Sequence, residues 1–188
     1  MVTKPLVVRP PRAVLSIALI LKALRFASWK HRDQRRKGVG AVPYINHPIE
    51  LAEVLWFEGR VHDPIVIAAA LLHDTIEDTE TTSAELRGAF GPLVAGVVEE
   101  VTDTKWLRSR ARKELQVAKA AKSSHRARLV KLADKICNLR DIKAYPPRDW
   151  SLERQRAYFD WAKRVVDALR GTNARLERRF DQAYRLRP

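Results

Sequence analysis

Apolar residues recur at helical spacing along most of the chain, and the interruptions fall where Pro, Gly and short polar residues cluster. Ile20, Leu24 and Ala27 mark a first helix over about 13–32. The stretch DQRRKGVGAVPY, Asp33 to Tyr44, is basic and then glycine-bearing, and reads as a loop. Pro48 fits the first position of a second helix, which sets His47 at the helix start and ends the helix near Glu58, before Gly59. Asp63-Pro64 repeats that start signal ahead of an apolar run from Ile65 to Leu72. Thr82 with Glu85 is a capping-box pattern for a short helix stopping near Gly91, and Pro92 opens another carrying Leu93, Val94, Val97, Val98 and Val101. Trp106 to about Ser123 is a highly charged, lid-like helical segment.

In RARLVKLADKICNLRDI, Leu129, Leu132, Ala133 and Ile136 form one stripe, while Lys131, Asp134, Asn138 and Asp141 form a polar stripe beside it. Pro146-Pro147 breaks the chain. Ser151 can cap a helix whose core face is Tyr158, Trp161, Ala162, Val165 and Leu169, Gly171 stops it, and Leu176, Phe180 and Tyr184 mark a last helix. The expected fold is all-α, a single bundle of about eight to ten helices. Residues 1–12, with three prolines, are expected to form a flexible basic arm, and 13–188 the domain.

The central apolar run ends in AAALLHDTIEDT, which sets four ionisable groups, His73, Asp74, Glu77 and Asp78, within six positions. Carboxylates at the end of so apolar a helix need a partner. If the helix runs on, Glu77 shares the face of His73, and Asp78 that of Asp74. His47, the His73-Asp74 doublet and Asp134 complete a candidate ligand set of two imidazoles and two carboxylates. That set differs from the thiolate-rich closed sites of structural zinc and suits manganese, iron, magnesium or zinc with water in the open positions.

Composition narrows the classes. With 46% apolar residues, the 188-residue chain suits one folded domain. A net charge of +14 favours anionic partners: nucleic acid, an anionic membrane surface or a highly phosphorylated small molecule. The single cysteine, Cys137, excludes an internal disulfide framework, lies in a helical apolar pattern as a core thiol, and fits a cytoplasmic location. No apolar run approaches the ~20 residues of a membrane span. The basic residues before Ala13 to Leu21 imitate a leader, yet Lys22 and Arg25 follow at once and no small-residue cleavage site is evident.

The order H…HD…D resembles the HD-domain metal-dependent phosphohydrolases. HRDQRRK, PYINHP, AALLHDTIEDT and LVKLADKICNLRD, then YFDWA and LRGTN, resemble in order and spacing the hydrolase half of the RelA/SpoT family, over roughly residues 20–176. The likeness is closest to the small alarmone hydrolases of the metazoan SpoT-homologue type. The resemblance implies His47, His73, Asp74 and Asp134 as ligands of one ion, usually Mn2+. It implies Glu77 and Asp78 as the pair that activates or orients the attacking water, without saying which is the base. Arg36 and Lys37 match the pair at the nucleotide pocket, Tyr44 and Asn138 match residues lining it, and Arg154 and Tyr158 match positions near the substrate. The loop Gly38 to Val42 departs from the long enzymes in being longer and more apolar.

The activity implied is removal of the 3′-diphosphate of guanosine tetra- or pentaphosphate, giving GDP or GTP and pyrophosphate, with no synthetase activity. The same site acting on the 2′-phosphate of NADPH or NADP is the nearest rival. A basic nucleic-acid-binding module with a vestigial site, using Arg175, Arg178, Arg179, Arg185 and Arg187, is a more distant one. Nothing in the sequence bears on the oligomeric state.

Overall fold

The computed structural model describes residues 11–38, 40–104 and 106–188. The arm expected over 1–12 lies outside the described residues as far as residue 10. At Arg12 the chain is already helical.

The helices are α1 (Arg12–Lys30), α2 (Asn46–Glu53), α3 (Pro64–Leu72), α4 (Thr75–Asp78), α5 (Ser83–Val101), α6 (Ser109–Ala120), α7 (His125–Ala144), α8 (Leu152–Asp167) and α9 (Ala174–Tyr184). Among the described residues there is no strand. The loop after α1 is instead pinned by isolated bridges, Arg35 to Pro43 and Gly38 to Pro147. The all-α bundle expected from periodicity is the fold observed.

α3 is the axis of the domain. Every residue from Val66 to Leu72 is buried, an all-round apolar helix that must be enclosed by others. α1, α2, α5 and α7 enclose it. Its start is set as the sequence indicates: Asp63 Oδ1 accepts from Ile65 N at 2.9 Å, while Asp63 Oδ2 takes Arg126 Nε of α7 at 2.7 Å. α7 lies across α3 with eleven buried positions, Cys137 among them, and α8 and α9 cover its far side with Phe159, Val165, Leu176 and Phe180.

Three local expectations need adjustment, and one around Gly91 is met. The second helix does not stay α-helical to Glu58: after Glu53 it widens into a π-turn, Val54–Glu58, closed by Gly59 N to Val54 O at 2.9 Å. Gly59 is required there, because a Cβ would lie 2.9 Å from Leu176 Cγ and from the Leu55 carbonyl. The two helices expected around Gly91 both form: they run together as α5 but are separated at Gly91, whose backbone is non-helical with φ of 79°. Only half of the capping box forms: Thr82 Oγ1 accepts from Glu85 N at 3.1 Å, whereas the Glu85 carboxylate pairs with Lys30 of α1 at 3.1 Å. Finally, Tyr158 is half-buried and faces a cavity, while Phe159 and Val166 take core places on α8.

The basic excess is partly absorbed. Arg179 of α9 pairs with Glu58 at 2.8 Å, Arg187 with Asp160 at 2.7 Å, and Arg170 with Asp181 at 2.5 Å. Arg175, Arg178 and Arg185 are exposed. Among the described residues no helix is long and apolar enough to cross a membrane.

Candidate metal centre and substrate cavity

The polar stripe of α7, the end of α3 and the start of α2 meet at one place, the wall of a cavity of about 230 Å³. α3 does not run through the His73-Asp74 doublet. It stops at Leu72, Asp74 adopts φ −100° and ψ 1°, and α4 follows as one short turn. The cause is local: the Thr75 hydroxyl donates to the Leu72 carbonyl at 2.7 Å, competing with the helical ladder. The break changes the facing expected for a continuous helix. Glu77 lines the cavity, and Asp78 is exposed, accepting from Gln34 Nε2 at 3.0 Å.

His73 is fixed by its Nδ1, which donates to the Ala70 carbonyl at 2.8 Å, and this leaves Nε2 aimed into the site. That nitrogen is buried without a hydrogen bond, although Asp74 Oδ2 lies 2.8 Å from it and Asp134 Oδ1 lies 3.9 Å away. His47 Nε2 stands 3.3 Å from the same Asp134 oxygen. Donor atoms of His47, His73 and Asp134 lie within 4.8 Å of one another. Asp74 reaches the group from the side and accepts a hydrogen bond from the Tyr44 hydroxyl.

The electrostatics are those of a site built for a cation. Burial lowers the pKa of His47 and keeps it neutral. Burial works the same way on His73, but the Asp74 and Asp134 carboxylates outweigh it and raise that imidazole to about 9. A proton at His73 then stands in for a positive charge that two carboxylates demand. Asp134 resists protonation despite burial because Lys135 and the two imidazoles surround it. Two nitrogens and carboxylate oxygens around one orphaned buried atom fit a divalent ion of borderline or harder character.

Asp134 is held from both sides. Asn138 Nδ2 donates to its Oδ1 at 2.6 Å, and Lys135 Nζ donates to its Oδ2 at 2.8 Å. Arg36 continues the chain, reaching Asn138 Oδ1 at 3.0 Å and Asp141 at 2.5 Å, with its guanidinium 5.6 Å from the centre of the Tyr44 ring. Arg36, Tyr44, Asn138 and Tyr158 all line the cavity. Lys37 and Arg154 are exposed and do not line it; Arg154 lies over the Trp150 ring at 4.6 Å.

Sequence reasoning missed the opposite wall, made by Asp103, Arg112, Lys113, Gln116 and Lys131. Asp103 N donates to Glu77 Oε2 at 3.1 Å, and the Asp103 carboxylate accepts from Gln116 Nε2. Burial, then Asp103 and Asp74, push Glu77 up to about 7. Lys131 carried a signal, since it belongs to the polar stripe of α7. α6 gave none, because a helix charged on most faces does not reveal which face looks inward.

Comparison with known proteins agrees with this geometry. Residues 23–165 match the HD domain family. The guanosine-3′,5′-bis(diphosphate) 3′-pyrophosphohydrolase MESH1 of Homo sapiens is 50% identical over 170 residues, covering 90% of this chain and 95% of the relative. Its Drosophila melanogaster counterpart is 49% identical over the same length. A solved structure of a metazoan orthologue of SpoT, described as hydrolysing ppGpp, superposes with a TM-score of 0.88 at 47% identity, over 96% of this chain and 98% of that one. The GTP pyrophosphokinase rsh of Brucella melitensis is 40% identical over 132 residues, 66% of this chain and 17% of that protein. The chain belongs to the HD-domain family, in the branch of the metazoan SpoT orthologue MESH1.

Proposed function

We propose that the protein is a metal-dependent hydrolase that removes the 3′-diphosphate of guanosine 3′,5′-bis(diphosphate) or its pentaphosphate form, releasing pyrophosphate with GDP or GTP. The observation that carries the chemistry is the buried, unbonded His73 Nε2 facing Asp74, Asp134 and His47. The substrate follows from relatives about half identical over nine-tenths of the chain, whose name states this reaction.

His47, His73, Asp74 and Asp134 would hold the ion, with Mn2+ our choice. When bound, such an ion activates water and neutralises charge on the phosphoryl group. The remaining work belongs to the chain. Glu77, at the cavity wall with its carboxyl raised to about 7, accepts the proton of the attacking water. Asp103 holds that carboxylate by a backbone N–H. Asn138 and Lys135 orient Asp134, and Tyr44 orients Asp74. Arg36 presents a guanidinium face beside Tyr44, suited to a purine or to phosphate oxygens. Asp78 acts at one remove, through Gln34 and the loop that carries Arg36. Lys37 and Arg154 bind substrate only if it extends beyond the cavity. The compartment we assign is the cytoplasm.

The test is a Mn2+-supplemented turnover panel with guanosine tetraphosphate and NADPH side by side, with products identified. Pyrophosphate and GDP from guanosine tetraphosphate, at a kcat/KM above that for NADPH, is the expected result. Phosphate release from NADPH alone would replace the substrate while leaving the metal site intact.

A further inference from the structure

Lys131 is buried, and its ammonium makes one hydrogen bond, to the Val101 carbonyl at 3.2 Å. Among the described residues no carboxylate pairs with it, and two of its three N–H donors go unused. Lys113 of α6 is half-buried and has no hydrogen-bond acceptor among the described residues. Its Nζ sits over Tyr158 at 5.6 Å and Trp161 at 5.1 Å. The other cavity cations are neutralised: Lys135 by Asp134 at 2.8 Å, Arg36 by Asp141 at 2.5 Å, and Arg112 by Asp103 at 3.6 Å. A buried ammonium with no carboxylate in direct contact is costly to maintain, and Asp103, Asp134 and Glu77 act on Lys131 only from beyond ion-pair distance. With the half-buried Lys113 lining the same cavity, the pair calls for an anion there.

α7 fixes where that anion sits. At the rise of an α-helix, Lys131 lies about 5 Å before Asp134 and Asn138 about 6 Å after it. Asn138 carries Arg36 on its side. Along α7, Asp134 therefore stands between Asn138, which carries Arg36, and Lys131, while Lys113 of α6 lines the same cavity. α6 is held in place for this role, with Trp161 Nε1 donating to the Lys113 carbonyl at 3.1 Å and Arg164 forming a double hydrogen bond to Glu114.

We propose that Lys131 and Lys113 form a phosphate subsite that holds a phosphoryl group of the substrate other than the one under attack. A doubly charged group with several acceptor oxygens satisfies both ammonium groups at once. This rests on the guanosine polyphosphate reading above. Two phosphoryl groups of such a substrate share the required chemistry: the 5′-diphosphate and the distal phosphate of the departing 3′-diphosphate.

Lys131→Met and Lys113→Ala test it, with the Mn2+-loaded enzyme and guanosine tetraphosphate. Each is expected to raise KM about ten-fold or more, the scale of a lost charge-assisted hydrogen bond. Lys131→Met is also expected to melt at or above the wild-type temperature, since a buried unpaired charge is gone. Unchanged KM in both variants overturns the proposal, and so does a lower melting temperature of Lys131→Met without a KM change. Guanosine 3′-diphosphate as substrate separates the sources. A penalty that vanishes there assigns the subsite to the 5′-diphosphate. A penalty that persists with weakened pyrophosphate inhibition assigns it to the leaving group, and one that persists with unaltered inhibition overturns the subsite. If the wild type turns over no guanosine substrate, the functional reading fails by itself. Calorimetric titration of pyrophosphate into metal-free protein still decides the subsite: about ten-fold weaker binding to Lys113→Ala supports it, and equal binding overturns it.

Discussion

The backbone N–H of Asp103 donates to Glu77 Oε2 at 3.1 Å, while the Asp103 carboxylate opposes the charge on the same group. One residue thus fixes the position of Glu77, and burial, with Asp103 and Asp74, lifts its carboxyl to about 7 from the usual 4.5. A carboxyl raised on folding favours the folded state when protonated. Its contribution is fully present below about pH 4.5 and is lost as pH rises through about 7. In metal-free protein, Glu77→Gln should therefore gain melting temperature relative to the wild type as pH rises from 5 to 8. Two parallel melting curves over that range would mean that Glu77 is not destabilised by its surroundings.

Glu77 and Asp78 should separate kinetically. Glu77 lines the cavity, so Glu77→Gln should lower kcat by at least ~10²-fold, the usual scale of general-base catalysis, with KM little changed. Asp78 takes the Gln34 amide, and Gln34 Oε1 lies 2.6 Å from His31 Nδ1, whose ring rests 4.8 Å from that of Tyr44. Asp78→Asn disturbs the loop that presents Arg36, and its main effect should fall on KM. Steady-state kinetics of both variants would reveal a reversed pattern if Asp78 were the proton acceptor.

Sequence signals were legible where the cause is short-ranged. Asp63, Thr82 and Ser151 each cap the helix expected of them, because an N-cap hydrogen bond spans two or three residues. The periodicity of α7 set Asp134 and Asn138 on one stripe, and they are hydrogen-bonded. Signals failed where a distant group decides. Nothing local shows that Glu85 pairs with Lys30, fifty-five positions away, or that Asp103 comes to Glu77 from the far end of α5. The break of α3 at the doublet depends on one hydroxyl, Thr75, choosing the Leu72 carbonyl. The resemblance implied a ligand role for the four candidates His47, His73, Asp74 and Asp134, but it did not distinguish Arg36, which lines the cavity, from Lys37, which stays outside.

Gly38 offers a test of the loop itself. A Cβ added there would lie 2.6 Å from the Tyr145 carbonyl oxygen, a backbone atom that cannot swing aside. Gly38→Ala should push the loop away from the α7 end and displace Arg36, two residues earlier. The expected result is an increase in KM of about ten-fold, comparable to losing one charged contact, with the far-UV spectrum unchanged. Wild-type KM in this variant would show that the position of Arg36 does not depend on the Gly38 to Pro147 bridge.

Asp134 has two partners with opposite demands. Its Oδ1 faces His47 and His73, and its Oδ2 neutralises Lys135, whose side chain is only 6% exposed. Asp134→Ala should abolish metal-dependent turnover and also leave the Lys135 ammonium buried without a counter-ion. Removing one member of a buried pair costs about 3–5 kcal/mol, so the single variant should be clearly less stable in denaturant unfolding. Adding Lys135→Met removes the stranded charge and lets the methionine side chain fill the place against Trp161, over whose ring Nζ lies at 4.5 Å. The double variant should recover most of the lost stability and none of the activity, with no Mn2+-dependent rise in melting temperature. Retention of that rise in the double variant would show that the ion is held without Asp134. Failure to recover stability would show that Asp134 supports the fold through His47 and Asn138 instead of through Lys135.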